Sequence, residues 1–285
     1  MNKKHPAERF TAPANMEAGV PLQDMFDRRA VALLGESFAA VAPGFDARAV
    51  ARRANAGLDG LPLMARADHL ADALFAHLPQ DFDDAAPLLI AAMGPELQTT
   101  ERNGLRVFFY LPHVRLIARH GVVRWDAGMR ANHEVTRRFT AEFSIRPFLA
   151  AKQQKTLARL QQWTRDPNPH VRRLCSEGTR PRLPWASRLP ALQQDPTLAL
   201  RILQALRDDD ELYVRRSVAN HLGDLAKDHP QFVFELCERW LSDLGALTEQ
   251  RQAARRWLIR HAVRHPAKNG VAAAVALRRA AGGTR

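Results

Sequence analysis

Two stretches of this chain repeat one another: RDPNPHVRRL begins at Arg165 and RDDDELYVRRS begins at Arg207. Asp166 lies 43 residues before Asp209, and Val171 lies 43 before Val214. A weaker third copy, ARRWLIRHAVRHP, aligns with VRRSVANHLGDLAKDHP and puts Arg255 40 residues after Arg215. An acidic break followed by Val-Arg-Arg at a period near 40 is the signature of HEAT-like helical pairs. In that pattern Asp caps the helix, Val and later aliphatics face the neighbouring repeat, and Arg projects outward. A single pair cannot bury its apolar face alone, so neighbours must stack. The expected fold class is therefore all-α: a HEAT-like helical-repeat solenoid, an α-superhelix with a concave face.

Upstream, helical periodicity begins near Asp24, with Met25, Phe26, Ala30, Leu33, Leu34, Phe38 and Val41 at three- and four-residue steps. The sequence PGF breaks that helix, and Asp46 is placed to cap DARAVARRANAGL. The segments LMARADHLADALFAHLP and DFDDAAPLLIAAMG follow, without the alternation that strands need. Residues 1–20 have basic residues but no apolar run, so they are not a secretory signal, and they read as a loose, Pro-containing tail. A single HEAT-like domain is expected over 21–285, with no strand-rich segment to form an immunoglobulin-like domain after it. No stretch approaches the roughly 18 uninterrupted apolar residues of a membrane span.

Charge narrows the partners. The chain carries a formal net charge of +12. Between Arg130 and Leu200 stand thirteen Lys/Arg and five Asp/Glu, a surplus of eight; the other 214 residues have a surplus of four. A local basic field concentrates polyanions, and nucleic acid is the commonest of them. The alternative is a charged surface that only confers solubility. Other chemistries fit poorly. His133-Glu134 is followed by Val135, Thr136 and Arg137, where a zincin helix needs a second His. The eleven His show no metal-ligand spacing, and no Gly-rich phosphate loop or G-x-S-x-G occurs. Cys175 and Cys237 make no disulfide framework, which fits a reducing cytosol, and Cys175 reads as a small buried apolar residue. No metal or cofactor is expected.

Residues four apart share a helix face. That rule puts Arg173 with Glu177, Arg216 with Asn220 and Asp224, Arg256 with Arg260 and Arg264, and Glu142 with Arg146. One face of successive helices thus offers carboxylates flanked by arginines. Taken singly, each pair is ordinary surface decoration worth a few tenths of a kcal/mol.

The segments TAEFSIRPFL (140–149), DPNPHVRRLCSEGTRPRLPWASRL (166–189) and VRRSVANHLGDLAKDHP (214–230) resemble the AlkC/AlkD family of DNA alkylation-repair glycosylases, its AlkC branch in particular. PLQDMFDRRAV and GLDGLPLMARADHLADAL look like that branch as well, so the resemblance runs from about residue 20 to the end. It implies a concave face that holds damaged double-stranded DNA, and hydrolysis of the N-glycosidic bond of cationic bases, 3-methyladenine and 3-methylcytosine. It implies a bacterial, cytoplasmic monomer acting in base excision repair without a cofactor or a membrane. By motif, the active-site elements of the family fall on Glu142, Glu177, Trp185 and Asp224.

Those residue types suit that chemistry. Alkylation makes the base cationic, so it leaves without a general acid. What needs stabilising is an oxocarbenium-like sugar, as in glycoside hydrolysis. A carboxylate beside C1′ does this and orients or deprotonates the attacking water. Asp224 is the first choice for that task, with Glu177 next to it. Trp185 can lay an indole face against sugar or base, a desolvated contact worth up to about 2 kcal/mol. Glu142 would add a negative charge that favours a cationic base. Arg146, Arg172, Arg173, Arg180, Arg182, Arg215, Arg216, Arg256 and Arg260 are candidates to clamp DNA phosphates, some of them pairing within the solenoid instead. The structural alternatives are a core aromatic for Trp185, a solvated charge near Lys227 for Asp224, and a partner of Arg173 for Glu177. A catalytically silent HEAT-like scaffold or DNA-structure binder is the competing function.

Overall fold

A computed structural model of the chain describes residues 4–283, and among the described residues every regular element is helical. The chain divides into two compact units, residues 1–151 and 152–285. The first holds α1 Pro6–Arg9, α2 Arg28–Ala39, α3 Ala47–Asn55, α4 Leu63–Phe75, α5 Phe82–Ala91, α6 Leu111–His120, α7 Trp125–Thr136 and α8 Ile145–Ala151. The second holds α9 Gln153–Trp163, α10 Pro169–Glu177, α11 Pro190–Gln194, α12 Leu200–Leu206, α13 Leu212–Leu225, α14 Pro230–Ser242, α15 Glu249–Ala262, α16 Arg264–Lys268 and α17 Ala272–Ala280. The all-α helical-repeat architecture read from the 43-residue period is the one the chain forms.

In the first unit α2 packs on α3, α4 on α6 and α5 on α7. The first long helix starts at Arg28 and not near Asp24, because Asp27 accepts the amide of Ala30 at 2.8 Å as its cap and a short 3-10 turn precedes it. Asp46 caps α3 as expected, accepting from the amides of Arg48 and Ala49. Part of the stretch expected as a loose tail packs. Pro6–Arg9 is helical, Phe10 is buried between Phe26 and Phe109, and Arg9 pairs with Glu36 at 2.7 Å. One aromatic and one ion pair, both with partners in the following helices, are enough to order it.

In the second unit the two Val-Arg-Arg helices and the helix of the weaker Ala-Arg-Arg copy lie side by side, α10 against α13 and α13 against α15. Val171 and Val214 are fully buried, as the repeat requires. The two acidic residues act differently from expectation. Asp166 and Asp209 do not cap α10 and α13 directly. Each accepts the amide two residues on, that of Asn168 at 2.8 Å and of Glu211 at 2.9 Å, and so shapes the turn before the helix. Asn168 is the cap of α10.

The first arginine of each Arg-Arg pair also departs from the outward reading. Arg172 grips Asp209 with two hydrogen bonds, at 2.6 and 3.0 Å, and donates to the carbonyls of Asp166 and Pro167. Arg215, its counterpart, donates to the carbonyl of Asp209. Arg255 is 1% exposed and holds Asp208 in a bidentate pair. These side chains brace one helical pair against the next. The second arginines differ: Arg173 approaches Glu177 at 3.3 Å, Arg216 is exposed, and Arg256 donates to the carbonyl of Ala280.

Close backbone approach fixes α6, α7 and α8 in the first unit. A Cβ on Gly128 would stand 2.5 Å from both the carbonyl oxygen of Gly121 and the Phe148 ring. We expect Gly128→Ala to lower the melting temperature followed by circular dichroism. Overpacking costs about 1–3 kcal/mol against a propensity gain of at most about 1 kcal/mol. An unchanged or higher melting temperature would contradict the packing described.

Candidate active site

The residues singled out by sequence divide between the two units. Glu142 and Arg146 belong to the first. Helix α8 begins only at Ile145, so Glu142 precedes it and the two do not share a helix face. Glu142 is half-buried in the preceding turn and accepts the Thr140 hydroxyl at 3.0 Å. Arg146 is 2% exposed, so it does not stand outward as the face pattern predicted. Its guanidinium belongs to the interior of the fold.

Glu177, Arg180, Trp185 and Asp224 belong to the second unit. Glu177 ends α10, and the chain then turns back on itself: Thr179 donates its hydroxyl to the carbonyl of Cys175 at 2.7 Å, and Arg180 follows. Arg180 donates through Nη1 to Glu177 at 2.6 Å and through Nε to Asp224 at 2.8 Å. One guanidinium therefore joins the two carboxylates, although they are 47 residues apart in sequence. Side-chain exposures of 7%, 11% and 6% for Glu177, Arg180 and Asp224 place this pair of contacts in a nearly dry setting. Arg173 approaches Glu177 at 3.3 Å, and Lys227 approaches Asp224 at 3.2 Å from a more exposed position.

Helix α13 supplies the other wall. Ser217, His221 and Asp224 fall at steps of four and three, on the side of α13 that meets α10. Ser217 donates to Glu177 at 2.6 Å. His221 is fully buried and donates from Nδ1 to the carbonyl of Ser176 at 3.0 Å. Burial pushes its pKa down to about 4, so the ring is neutral at pH 7. Burial alone would push the Glu177 carboxyl up, but the charges of Arg173 and Arg180 and the Ser217 hydrogen bond outweigh it. Glu177 is thus held ionised below the usual carboxylate range. Sequence reasoning missed Ser217 and His221. Their helical phase with Asp224 was the available signal, hidden because the stripe was drawn through Arg216 and Asn220.

Trp185 is not the core aromatic that the structural alternative proposed. It is 58% exposed, in a turn, and its backbone is left-handed at φ 62°. A non-glycine residue there is strained by about 1–3 kcal/mol and persists only where its surroundings over-determine it. Here they do. Leu183 and Leu189 are buried on either side, and Arg182 grips Asp228 with bonds of 2.6 and 2.9 Å. The loop is pinned and the indole displayed.

The expected phosphate clamps are mostly engaged within the protein. Arg172, Arg180, Arg182 and Arg215 hold the acceptors named above. Arg256 and Arg260 donate to the carbonyls of Ala280 and Ala281 at the end of α17. Arg216 is exposed. No cluster of His, Cys, Asp and Glu able to hold a metal occurs among the described residues, and none of their helices is long and apolar enough to cross a membrane.

The arrangement places two buried carboxylates, one displayed aromatic ring and flanking cations in one unit. Removing Arg180 would take the bridging guanidinium from both buried carboxylates and leave Glu177 to Arg173 and Asp224 to Lys227. We expect Arg180→Met to lose about 1.5–3 kcal/mol of unfolding free energy at pH 7. Glu177 has a depressed native pKa, so its stabilisation is present above the unfolded value of about 4.3 and fades as pH falls through the native one. The gap between wild type and variant in urea melts therefore narrows below about pH 4. A gap independent of pH would mean that Arg180 acts by packing alone.

Comparison with known proteins completes the description. The sequence model of a family described as "DNA alkylation repair enzyme" matches residues 138–265. A curated relative, the "Uncharacterized protein YhaZ" of Bacillus subtilis (strain 168), is 40% identical over 161 residues. That match takes in 56% of this chain and 43% of the relative, so the match spans less than half of the relative's length. Among solved structures, "Pseudomonas fluorescens alkylpurine DNA glycosylase AlkC bound to DNA containing an abasic site analog" superimposes with a TM-score of 0.78 at 37% identity. The superposition covers 91% of this chain and 68% of that one.

Proposed function

This chain belongs to the DNA alkylation repair enzyme family, on its AlkC side, and from that premise we propose that it is a DNA glycosylase of base excision repair. Its substrates are cationic N-alkylated bases, 3-methyladenine and 3-methylcytosine, in double-stranded DNA. The observation that carries the reading is the meeting of Glu177 and Asp224 on one buried guanidinium. Buried carboxylates and a displayed indole in one unit are costly to maintain, and a cationic nucleotide is a ligand that repays both.

In this reading Asp224 faces C1′ of the damaged nucleotide. The bond between C1′ and the base nitrogen breaks, its electron pair neutralises the cationic ring, and positive charge develops on the sugar. Asp224 stabilises that charge and aligns the water that adds to C1′, taking up its proton. Glu177 deepens the negative potential from α10. Trp185 stacks against sugar or base. Glu142 contributes a further charge that prefers a cationic base to a neutral one. No pocket for a flipped base is required, because reaction at the sugar needs access to C1′ and not enclosure of the base.

Arg180 has a defined part in this scheme. With Arg173 and Lys227 it offsets both carboxylates when no DNA is bound, so the site does not repel a polyanion. A cationic nucleotide then competes with the guanidinium for the same oxygens. The same compensation favours one other reading, a non-catalytic HEAT-like protein that binds DNA structure, since carboxylates already satisfied by arginine do not demand a substrate.

Release of free methylated base from N-alkylated DNA separates the two. Wild type is expected to release 3-methyladenine or 3-methylcytosine, and Asp224→Asn to slow release at least 100-fold, within the range that such electrostatic groups contribute. Equal rates in both would move the principal role to Glu177 or Glu142. Binding without release by wild type would leave the binding module. Trp185→Ala is expected to weaken binding to a duplex with an abasic-site analogue while leaving the melting temperature within about 2 °C, since an exposed side chain contributes little to folding.

A further inference from the structure

The end of the chain carries a charge asymmetry that the repeat motif does not explain. Residues 250–285 contain eight Arg and one Lys and no Asp or Glu. Two of these cations are paired, Arg255 with Asp208 and Arg251 with Asp210. Arg256, Arg260, Arg264, Lys268, Arg278 and Arg279 have no carboxylate partner among the described residues. Cations without carboxylate partners raise the local positive potential, and that potential concentrates anions nearby.

They are also arranged around a space. A cavity of about 580 Å³ opens where α16 and α17 meet, lined by Arg264, Lys268, Arg278 and Arg279 over a floor that includes Ala267 and Val275. Arg256 and Arg260 close the end of α17 against α15 through its last carbonyls, which fixes the cavity wall. Arg278 Nε is buried and has no hydrogen-bond partner. The Arg264 guanidinium is held below its usual range by partial burial and by the like charge of Arg180. The buried Arg278 Nε is a donor that lacks its acceptor, and the exposed heads of Lys268 and Arg279 stand beside it.

One cavity residue, Arg264, touches the helix that carries Asp224. Arg264 donates to Asn220 at 3.0 Å, and Asn220 lies one helical turn before Asp224 on α13. A polyanionic strand whose damaged nucleotide sits at Asp224 would run past Asn220 toward this basic end.

We infer that the cavity between α16 and α17 is a second anion site, which binds a backbone phosphodiester of duplex DNA beyond the damaged nucleotide. The inference rests on the DNA-binding part of the proposed function and not on its chemistry. Arginine and lysine without carboxylate partners suit phosphate by charge and fork geometry, and such contacts set register and orientation without reading sequence. The apolar floor seats the methylene stems of the four cations while their heads face the phosphate.

The test uses the full chain and a duplex with an abasic-site analogue, whose binding requires no catalysis. Lys268 and Arg279 are both exposed and make no side-chain hydrogen bond among the described residues, so Lys268→Glu and Arg279→Glu leave the fold intact. Affinity is read by fluorescence anisotropy across a salt series. Each charge reversal is expected to make the slope of log K against log salt shallower by about 1, equally for unrelated sequences, while Arg279→Lys keeps the wild-type slope. Unchanged slopes in both reversals would overturn the proposal. So would protection of the cavity by inorganic phosphate alone, or a response confined to single-stranded RNA, with the duplex slope unmoved. A chain that releases no methylated base yet loses slope on reversal would sink the glycosylase reading and keep the cavity.

Discussion

The arginine-to-carboxylate brace between successive helical pairs is the interaction on which the second unit depends. Arg172 reaches Asp209 of the following repeat, and Arg255 reaches back to Asp208. A guanidinium fork meeting a carboxylate edge-on fixes both distance and angle, which apolar packing alone does not. The brace sets how far α10 is displaced along α13, and that displacement brings Glu177 opposite Ser217 and places Arg180 within reach of Asp224. A slip of one turn, about 5.4 Å, would part all three contacts. The first unit uses the same device. Arg115 and Arg119 grip Asp68 and Asp72 in bidentate pairs, each across 47 residues, which is again one repeat.

This division of labour explains why the chain is so rich in arginine. The first arginine of each Val-Arg-Arg works inside the unit, whereas the second is turned elsewhere, Arg173 to Glu177 and Arg216 to solvent. Lysine could not replace the first kind, because a point charge on a flexible stem lacks the fork. The two kinds look identical in sequence. What distinguishes them is helical phase relative to a buried valine, one residue away in the first case and two in the second.

That distinction marks the boundary of what the amino-acid order discloses. The 43-residue period, the buried valines and the cap at Asp46 follow from local rules, and they are legible because periodicity and capping depend on neighbours in sequence. Arg172, Arg182 and Arg215 were grouped with phosphate clamps because their acceptors lie 37, 46 and 6 residues away, and only the fold says which carboxylate or carbonyl comes near. Glu142 and Arg146 looked like a helical pair because nothing in EFSIRPFL announces that the helix waits until Ile145. The meeting of Glu177 with Asp224 was implied by resemblance alone. Trp185 could be core or surface by sequence, and its left-handed backbone, which leaves the indole exposed, is a tertiary outcome of the buried leucines around it.

Along the second unit the arginines change character in a consistent order. At α10 and α13 they are matched to carboxylates in a dry setting, and by α16 and α17 no acid remains to match them. In the proposed reading, affinity resides mainly where no acid offsets the cations, and the buried carboxylates keep their charge for a cationic nucleotide. On that reading the two demands on the unit, attraction of a negatively charged polymer and stabilisation of a positive centre within it, are incompatible at a single point. Separating them along successive repeats resolves the conflict, and a repeat fold supplies that separation because each helical pair can carry its own charge without disturbing the next.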